Sequence, residues 1–320
     1  MHPTETARKP SEATPQLPES AAAEVSPTAT RASAETPRIV VAIPARHAST
    51  RLPGKPLRTL LGRPMIQWVV ERVQAADGVA RAVVLTDDER IADAVTAFGA
   101  EAEMTPQDCP SGTDRIAWAV ERWAEQADDE TAPAAFTPTA VVNVQGDEPL
   151  LDPDVITRVA RHLADHPEDE MVTLSAPLAA QDIDDPAKVK VVTDRSGYAL
   201  YFSRAAIPHA RDGRDSETQG ATGIPVAPRL HVGLYGYQTT ALARLAALPP
   251  SPLEQTEALE QLRALENGIR IRVLPCDHAA FGVDTEADLR RAEELLRRDV
   301  TPSARPPTES PEAASEPPSA

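Results

Sequence analysis

The sequence predicts an α/β fold, a doubly wound and mostly parallel sheet, from three observations. Two apolar, β-branched runs, Ile39-Val40-Val41-Ala42-Ile43 and Ala140-Val141-Val142-Asn143-Val144, suit strands covered on both faces. Between and after such runs, apolar residues recur at helical spacing, giving the strand–helix alternation of crossover units. Both runs end in short loops dense in charge, and the carboxyl edge of a parallel sheet is where such folds bind ligands.

The first run leads into Pro44, which lacks a backbone donor and is expected to stop the pairing. The loop after it reads Ala45-Arg46-His47-Ala48-Ser49-Thr50-Arg51-Leu52-Pro53-Gly54-Lys55-Pro56. Three cations, Arg46, Arg51 and Lys55, on one loop at a strand's carboxyl end suit an anionic ligand. Gly54 lets backbone approach a phosphate, and Lys55 acts as a point charge on it. The chain has four lysines in a Lys plus Arg total of 32, so Lys55 is a notable choice of cation. Gly54-Lys55 is followed by Pro rather than Ser or Thr, which excludes a P-loop, and no dinucleotide fingerprint follows the strand.

Next comes a helix opened by Pro64, with Met65, Ile66, Val69, Val70 and Val73 on one face and Gly78 at its end. A strand over Ala82–Leu85 closes on Thr86-Asp87-Asp88, where Asp87 either touches a ligand at the strand end or, the favoured reading, is the N-cap of a helix carrying Ile91, Val95 and Phe98. Ser111-Gly112-Thr113 stands before a helix marked by Ile116, Val120 and Trp123, with Ser or Thr as cap. Residues 125–138 read as a surface loop. The run at 140–144 ends in Gln145-Gly146-Asp147-Glu148-Pro149. A carboxylate there, near a phosphate loop, is a natural ligand for Mg²⁺; the alternative is that Asp147 or Glu148 caps the turn. Asp152-Pro153 starts a helix with Val155, Ile156, Val159 and Leu163 on one face. Residues 171–178 return to strand, and Val189–Arg204 reads as a β-hairpin. Residues 210–228 read as a loop, either a lid or an insertion. In Leu230–Tyr237, His231, Gly233, Tyr235 and Tyr237 share one strand face, a polar row suited to hydroxyls. Ser251-Pro252 opens one helix running through Leu259, Leu262 and Leu265 to Gly268, on which Glu257 and Glu260 read as solvated charges. A last strand over 269–274 precedes Phe281-Gly282-Val283-Asp284-Thr285, where Asp284 reads as an N-cap.

Composition bounds the rest. The net charge of −17 argues against general nucleic-acid binding. Two distant cysteines, Cys109 and Cys276, indicate neither a disulfide framework nor a metal cluster, consistent with a cytoplasmic protein. No stretch is long and apolar enough to span a membrane, and the start has no signal-peptide pattern. Residues 1–37 and 299–320 are rich in Pro, Ala, Ser, Thr and Glu and are expected to be disordered tails around one domain over 38–298.

The motif at 43–56 closely resembles the opening motif of the 3-deoxy-manno-octulosonate cytidylyltransferases, with His47 where that family usually has Tyr. The resemblance continues in Gln-Gly-Asp-Glu-Pro at 145–149, in Val-Lys-Val-Val and Tyr-Ala-Leu-Tyr-Phe-Ser-Arg within 189–204, in His-Val-Gly-Leu-Tyr-Gly-Tyr at 231–237, in Pro-Ser-Pro-Leu-Glu at 250–254 and in Gly-Val-Asp-Thr at 282–285. It implies a nucleotide-diphospho-sugar transferase-like fold with an inserted hairpin or small sugar-binding subdomain. It implies transfer of a cytidylyl group from CTP to 3-deoxy-D-manno-octulosonate, with release of pyrophosphate, for lipopolysaccharide synthesis. By resemblance, Pro44, Ala45, Arg46, Arg51, Lys55, Ser111, Gly112 and Asp147 bind CTP, with Arg115 joining Ser111 and Gly112 at the cytosine base, and Asp147 and Asp284 bind Mg²⁺. Gln145, Arg204, His231, Tyr235, Glu254 and Gln261 face the sugar acid. Asp114 replaces the family's Glu, and Ala-Phe precedes Gly282 where relatives often have Thr-Gly. For Arg204 the rival reading is a salt bridge within the fold. Family members are dimers, which implies a homodimer. Sialic acid or an 8-amino octulosonate as substrate, and a non-catalytic nucleotide-binding module, are the alternatives.

Overall fold

The computed structural model describes residues 37–48, 51–128, 136–209, 227–277 and 281–300, all within one compact unit that begins at Pro37. Residues 1–36, 301–320 and most of the loop at 210–228 lie outside the described residues; positions 299 and 300, expected in the second tail, end the last helix instead. The first elements are β1 (Ile39–Ala45), a two-strand ribbon of β2 (Thr59–Leu60) and β3 (Arg63–Pro64), α1 (Met65–Gln74), β4 (Arg81–Thr86), α2 (Glu89–Ala97), β5 (Ala102–Met104) and α3 (Gly112–Asp128). Then follow β6 (Ala140–Asn143), α4 (Pro153–Asp165), β7 (Met171–Pro177), β8 (Lys190–Thr193), β9 (Ala199–Ser203) and β10 (Arg229–Gln238). The chain closes with α5 (Thr239–Ala246), α6 (Pro252–Glu257), α7 (Gln261–Glu266), β11 (Ile271–Pro275) and α8 (Glu286–Val300).

Among the described residues nine strands form one sheet, with the path β11-β7-β10-β6-β1-β4-β5 and the β8–β9 hairpin attached through β8 to β10. Neighbours along the path are parallel except at β10, which is antiparallel to both β6 and β7. The mostly parallel, doubly wound expectation therefore holds, with one reversed strand in the middle.

Alternation along β1 sends side chains into two different cores. Ile39, Val41 and Ile43 pack with Ile66, Val69, Val70 and Val73 of α1, Ile91 and Val95 of α2, and Ile156, Val159 and Leu163 of α4. Val40 and Ala42 pack with Ile116, Ala119 and Trp123 of α3, Leu242 and Leu245 of α5, and Leu262 of α7. The contact of α4 with β10 is close enough to require glycine: a Cβ on Gly236 would lie 2.6 Å from Val159 Cγ1 and Leu163 Cδ1. A third core joins Leu52, Leu60, Met65 and Trp68 to Val283, Leu289, Ala292 and Leu296. Each fully buried side chain of this size contributes about 1.5–3 kcal/mol, and this core seats α8 against the loop that follows β1.

Four local expectations need correction. Pro44 does not stop β1, which continues to Ala45 and pairs Pro44 and Ala45 with Leu85 and Thr86. Val144 N–H donates to Ala42 O on the β6 side. Position 44 faces that same side, where β6 has already ended at Asn143, so its missing donor breaks no ladder bond. Asp87 is not the cap of α2; Asp88 is, accepting from Arg90 N–H at 3.0 Å. The expected loop from 125 begins instead as the last turn of α3, which runs to Asp128. The single helix expected from 251 to 268 is two short ones, broken at Ala258 with φ 51°.

Candidate active site

The loop after β1 is held at both ends. Arg46 Nη2 donates to Cys109 O at 2.7 Å, and Gly54 N–H donates to His47 O at 3.1 Å. Gly54 has φ 66°, a left-handed conformation that glycine takes without steric cost, and a short 3₁₀ turn over Lys55–Leu57 follows it. That turn aims Lys55 across the carboxyl end of the sheet. Its Nζ lies 2.5 Å from Asp147 Oδ2 and 2.8 Å from Asp284 Oδ1. Arg51 Nη2 lies 3.1 Å from the same Asp284 oxygen.

Main chain also joins the two acids: Val283 N–H donates to Asp147 O at 3.0 Å. Asp284 is not the cap of α8. Thr285 takes that place, receiving Asp288 N–H at 3.2 Å while its own hydroxyl donates back to Asp288 Oδ2 at 2.8 Å. The Asp284 carboxylate is thus left for Lys55 and Arg51. Burial works to lower the Lys55 pKa, but the charges and hydrogen bonds of Asp147 and Asp284 outweigh it, and the net shift is upward. The neighbouring Glu148 is buried, and burial with the adjacent Asp147 charge pushes its carboxyl up to about 8.

The start of α3 lies nearby. Ser111 N–H and Oγ–H donate to Asp114 Oδ2 at 3.0 and 2.7 Å, and Asp114 N–H returns to Ser111 Oγ at 3.1 Å. The shorter Asp114 completes this reciprocal cap without a Glu. Gly112 packs against the Pro44 ring. Arg115 points inward: it is fully buried and pairs with Asp87 at 2.8 Å.

Beside the acids, a cavity of about 210 Å³ is lined by residues that include Thr113, Asn143, Gln145, Tyr235, Tyr237 and Gln261. Asn143 Oδ1 and Gln261 Nε2 are buried without a hydrogen-bond partner, one acceptor and one donor suited to a polyhydroxylated guest. The His231 and Tyr235 rings lie 5.4 Å apart, tilted by 46°. Its Nε2 lies 3.1 Å from Thr173 Oγ1, whose hydroxyl is within donating distance of the Val232 and Leu234 carbonyls. His231 therefore donates from Nε2. Burial pushes its pKa down to about 3, so the ring is neutral.

Of the expected sugar residues, Gln145, Tyr235 and Gln261 line this cavity and His231 adjoins it. Arg204 and Glu254 do not line it. Arg204 donates to the backbone carbonyls of Glu257, Pro186 and Ala258 at 2.7, 3.1 and 3.3 Å. Glu254 is paired with Arg263 at 2.5 Å, which lowers its pKa. Glu257 and Glu260 are not solvated charges. Glu257 accepts from Ser203 Oγ–H at 2.6 Å and Arg204 N–H at 2.9 Å, and Glu260 accepts from the Thr113 hydroxyl. Tyr237, in the polar row expected to suit hydroxyls, lines the cavity too, whereas Thr113 and Asn143 escape the sequence reading as cavity residues. Asn143, polar within an apolar strand run, was the available signal.

Two carboxylates and hard oxygen donors fit Mg²⁺, which commonly binds through one or two carboxylates plus substrate phosphates. Among the described residues no group of three or more His, Cys, Asp or Glu side chains could hold a metal unaided. The same residues include no helix long and apolar enough to cross a membrane.

Comparison with known proteins identifies the family and the fold. The Cytidylyltransferase family model matches residues 40–271. A 3-deoxy-manno-octulosonate cytidylyltransferase of Syntrophotalea carbinolica is 48% identical over 262 residues, covering 81% of this chain and 98% of that protein. One of Pseudomonas fluorescens is 48% identical over 259 residues, covering 80% and 97%. Among solved structures, a CMP:2-keto-3-deoxy-manno-octonic acid synthetase complexed with CTP matches with a TM-score of 0.73 at 37% identity, covering 82% of this chain and all of that one. A glucose-1-phosphate thymidylyltransferase from Bacillus anthracis shares the fold at 16% identity and a TM-score of 0.54, covering 81% and 95%.

Proposed function

The chain belongs to the cytidylyltransferase family, and we propose from that membership that it transfers a cytidylyl group from CTP to 3-deoxy-D-manno-octulosonate, supplying the activated sugar for lipopolysaccharide synthesis. The observation that carries the reading is Lys55 standing between Asp147 and Asp284 beneath a loop with two further cations.

The sugar's anomeric 2-hydroxyl attacks the α-phosphorus of CTP, the α–β bridging bond breaks, and pyrophosphate leaves with its electrons. No protein nucleophile is needed, because such transfers depend on positioning and charge neutralisation. Arg46, Arg51 and Lys55 hold the triphosphate. Ser111 and Gly112, at the start of α3, receive the base against Pro44 and Ala45. Gln145, Tyr235 and Gln261 hold the sugar acid, with His231 buttressing Tyr235. Arg204 is the cation proposed for the sugar carboxylate, which it would meet by giving up the Pro186 and Ala258 carbonyls, and Glu254 fixes α6 to α7 through Arg263. Asp147 and Asp284 would hold Mg²⁺, which when bound supplies charge neutralisation on the phosphates and acidifies the attacking hydroxyl.

We also propose a cytoplasmic homodimer. Leu200 on β9 is 62% exposed, an apolar side chain on the hairpin edge suited to a second copy; a sizing column returning only monomer removes that idea. The activity test is to incubate the protein with CTP and, separately, octulosonate, its 8-amino variant and sialic acid, with and without Mg²⁺, and to measure pyrophosphate. Mg²⁺-dependent release with octulosonate is expected. Release only with another acid overturns the substrate, and release with none overturns the enzyme.

A further inference from the structure

We propose that in the nucleotide-free protein the Lys55 ammonium holds the place of the divalent cation between Asp147 and Asp284, so that metal enters only when a triphosphate draws the ammonium away. This rests on the reading of Asp147 and Asp284 as metal ligands.

Asp147 Oδ2 and Asp284 Oδ1 converge on a single nitrogen at 2.5 and 2.8 Å. Mg²⁺ would be held by these same two carboxylates. An ammonium and a dication compete for them, since both draw on the same carboxylates and repel each other. Lys55 is not a loosely solvated neighbour, because its side chain is only 11% exposed. Arg51 adds a second positive charge on Asp284. Among the described residues no third acid joins these two to let metal outcompete two cations.

A nucleoside triphosphate changes both sides of this balance. Its phosphate oxygens give Lys55 and Arg51 better partners, and they supply the metal ligands that the protein lacks. Nucleotide and metal therefore assist each other, and by linkage each raises the other's affinity by the same factor. The Gly54-Lys55 turn moves its cation from acids to phosphates by side-chain rotation, while Val283 N–H keeps the two acid segments joined. The free protein thus keeps its two acids neutralised without carrying a metal that could bind other phosphates.

The test is Mn²⁺ binding to the full chain without nucleotide, read by electron paramagnetic resonance, in the wild type, Lys55→Met and Lys55→Gln. The expected result is weak binding to the wild type and at least tenfold tighter binding to both variants. Melting temperature gives a second readout: Mn²⁺ should raise it in the variants and leave it unchanged in the wild type. Equal affinities in all three proteins, or no binding to a folded variant, overturn the proposal. Adding Asp147→Asn to Lys55→Met separates this inference from its premise. Loss of the gain supports both, whereas a gain that survives shows that the metal lies elsewhere and overturns both. Mg²⁺-dependent pyrophosphate release by the wild type with no gain in either variant sinks the displacement idea and leaves cytidylyl transfer standing.

Discussion

Arg115, with no exposed surface, directs its Nη2 to Asp87 Oδ2 at 2.8 Å, tying the first turn of α3 to the loop after β4. Asp87→Ala leaves that guanidinium buried and uncompensated. The expected cost is about 3–5 kcal/mol, measured as a lower denaturant midpoint with unchanged m-value. A loss below about 1 kcal/mol means that the guanidinium has found another partner.

Asp147→Asn and Asp284→Asn keep shape and remove charge from the acids facing Lys55. Each is expected to lower kcat for pyrophosphate release roughly 100-fold or more while circular dichroism stays native. A near-native rate removes that residue from the mechanism.

The core beneath α8 sets the position of Asp284. Leu296 is fully buried in it, and Leu296→Ala is expected to cost about 2–5 kcal/mol. Because the same packing seats α8, kcat should fall too, with little change in the KM for the sugar acid. A stable protein with native kcat uncouples this core from the site.

His231 provides a pH signature. Its folded pKa, pushed down to about 3 by burial, lies below the ordinary 6.5. Above pH 6.5 the ring is neutral in both states and has no effect. Between 6.5 and about 3 the unfolded chain takes up a proton that the folded one refuses, so stability falls as acid is added. The contribution is at most about 1.4 kcal/mol per pH unit. In His231→Gln the unfolding free energy should fall less steeply with acid across that window; identical slopes refute the assignment.

The parts of the site written in local order were legible beforehand. The cationic loop, the Gly turn before Asp147 and the apolar strand runs each declare themselves within a few residues. What escaped depends on partners far along the chain. Glu260 resembles a solvated helix charge until Thr113, 147 residues earlier, is beside it. Glu257 looks the same until Ser203 arrives. The break at Ala258 was hidden because Leu259, Leu262 and Leu265 keep helical spacing across it. Asp87 and Asp88 were exchanged because both stand one turn ahead of α2 and only a buried Arg115 tells them apart.

The antiparallel β10 sits between β6 and β7 although residues 229–238 are made long after either neighbour. During synthesis on the ribosome, β6 therefore emerges with one side unsatisfied and stays open for roughly ninety more residues, about 5–20 s at typical elongation rates. Over that interval this edge, together with both edges of β7, is an aggregation liability of the nascent protein. Truncations ending before β10 should accordingly pellet, whereas chains released beyond it should not.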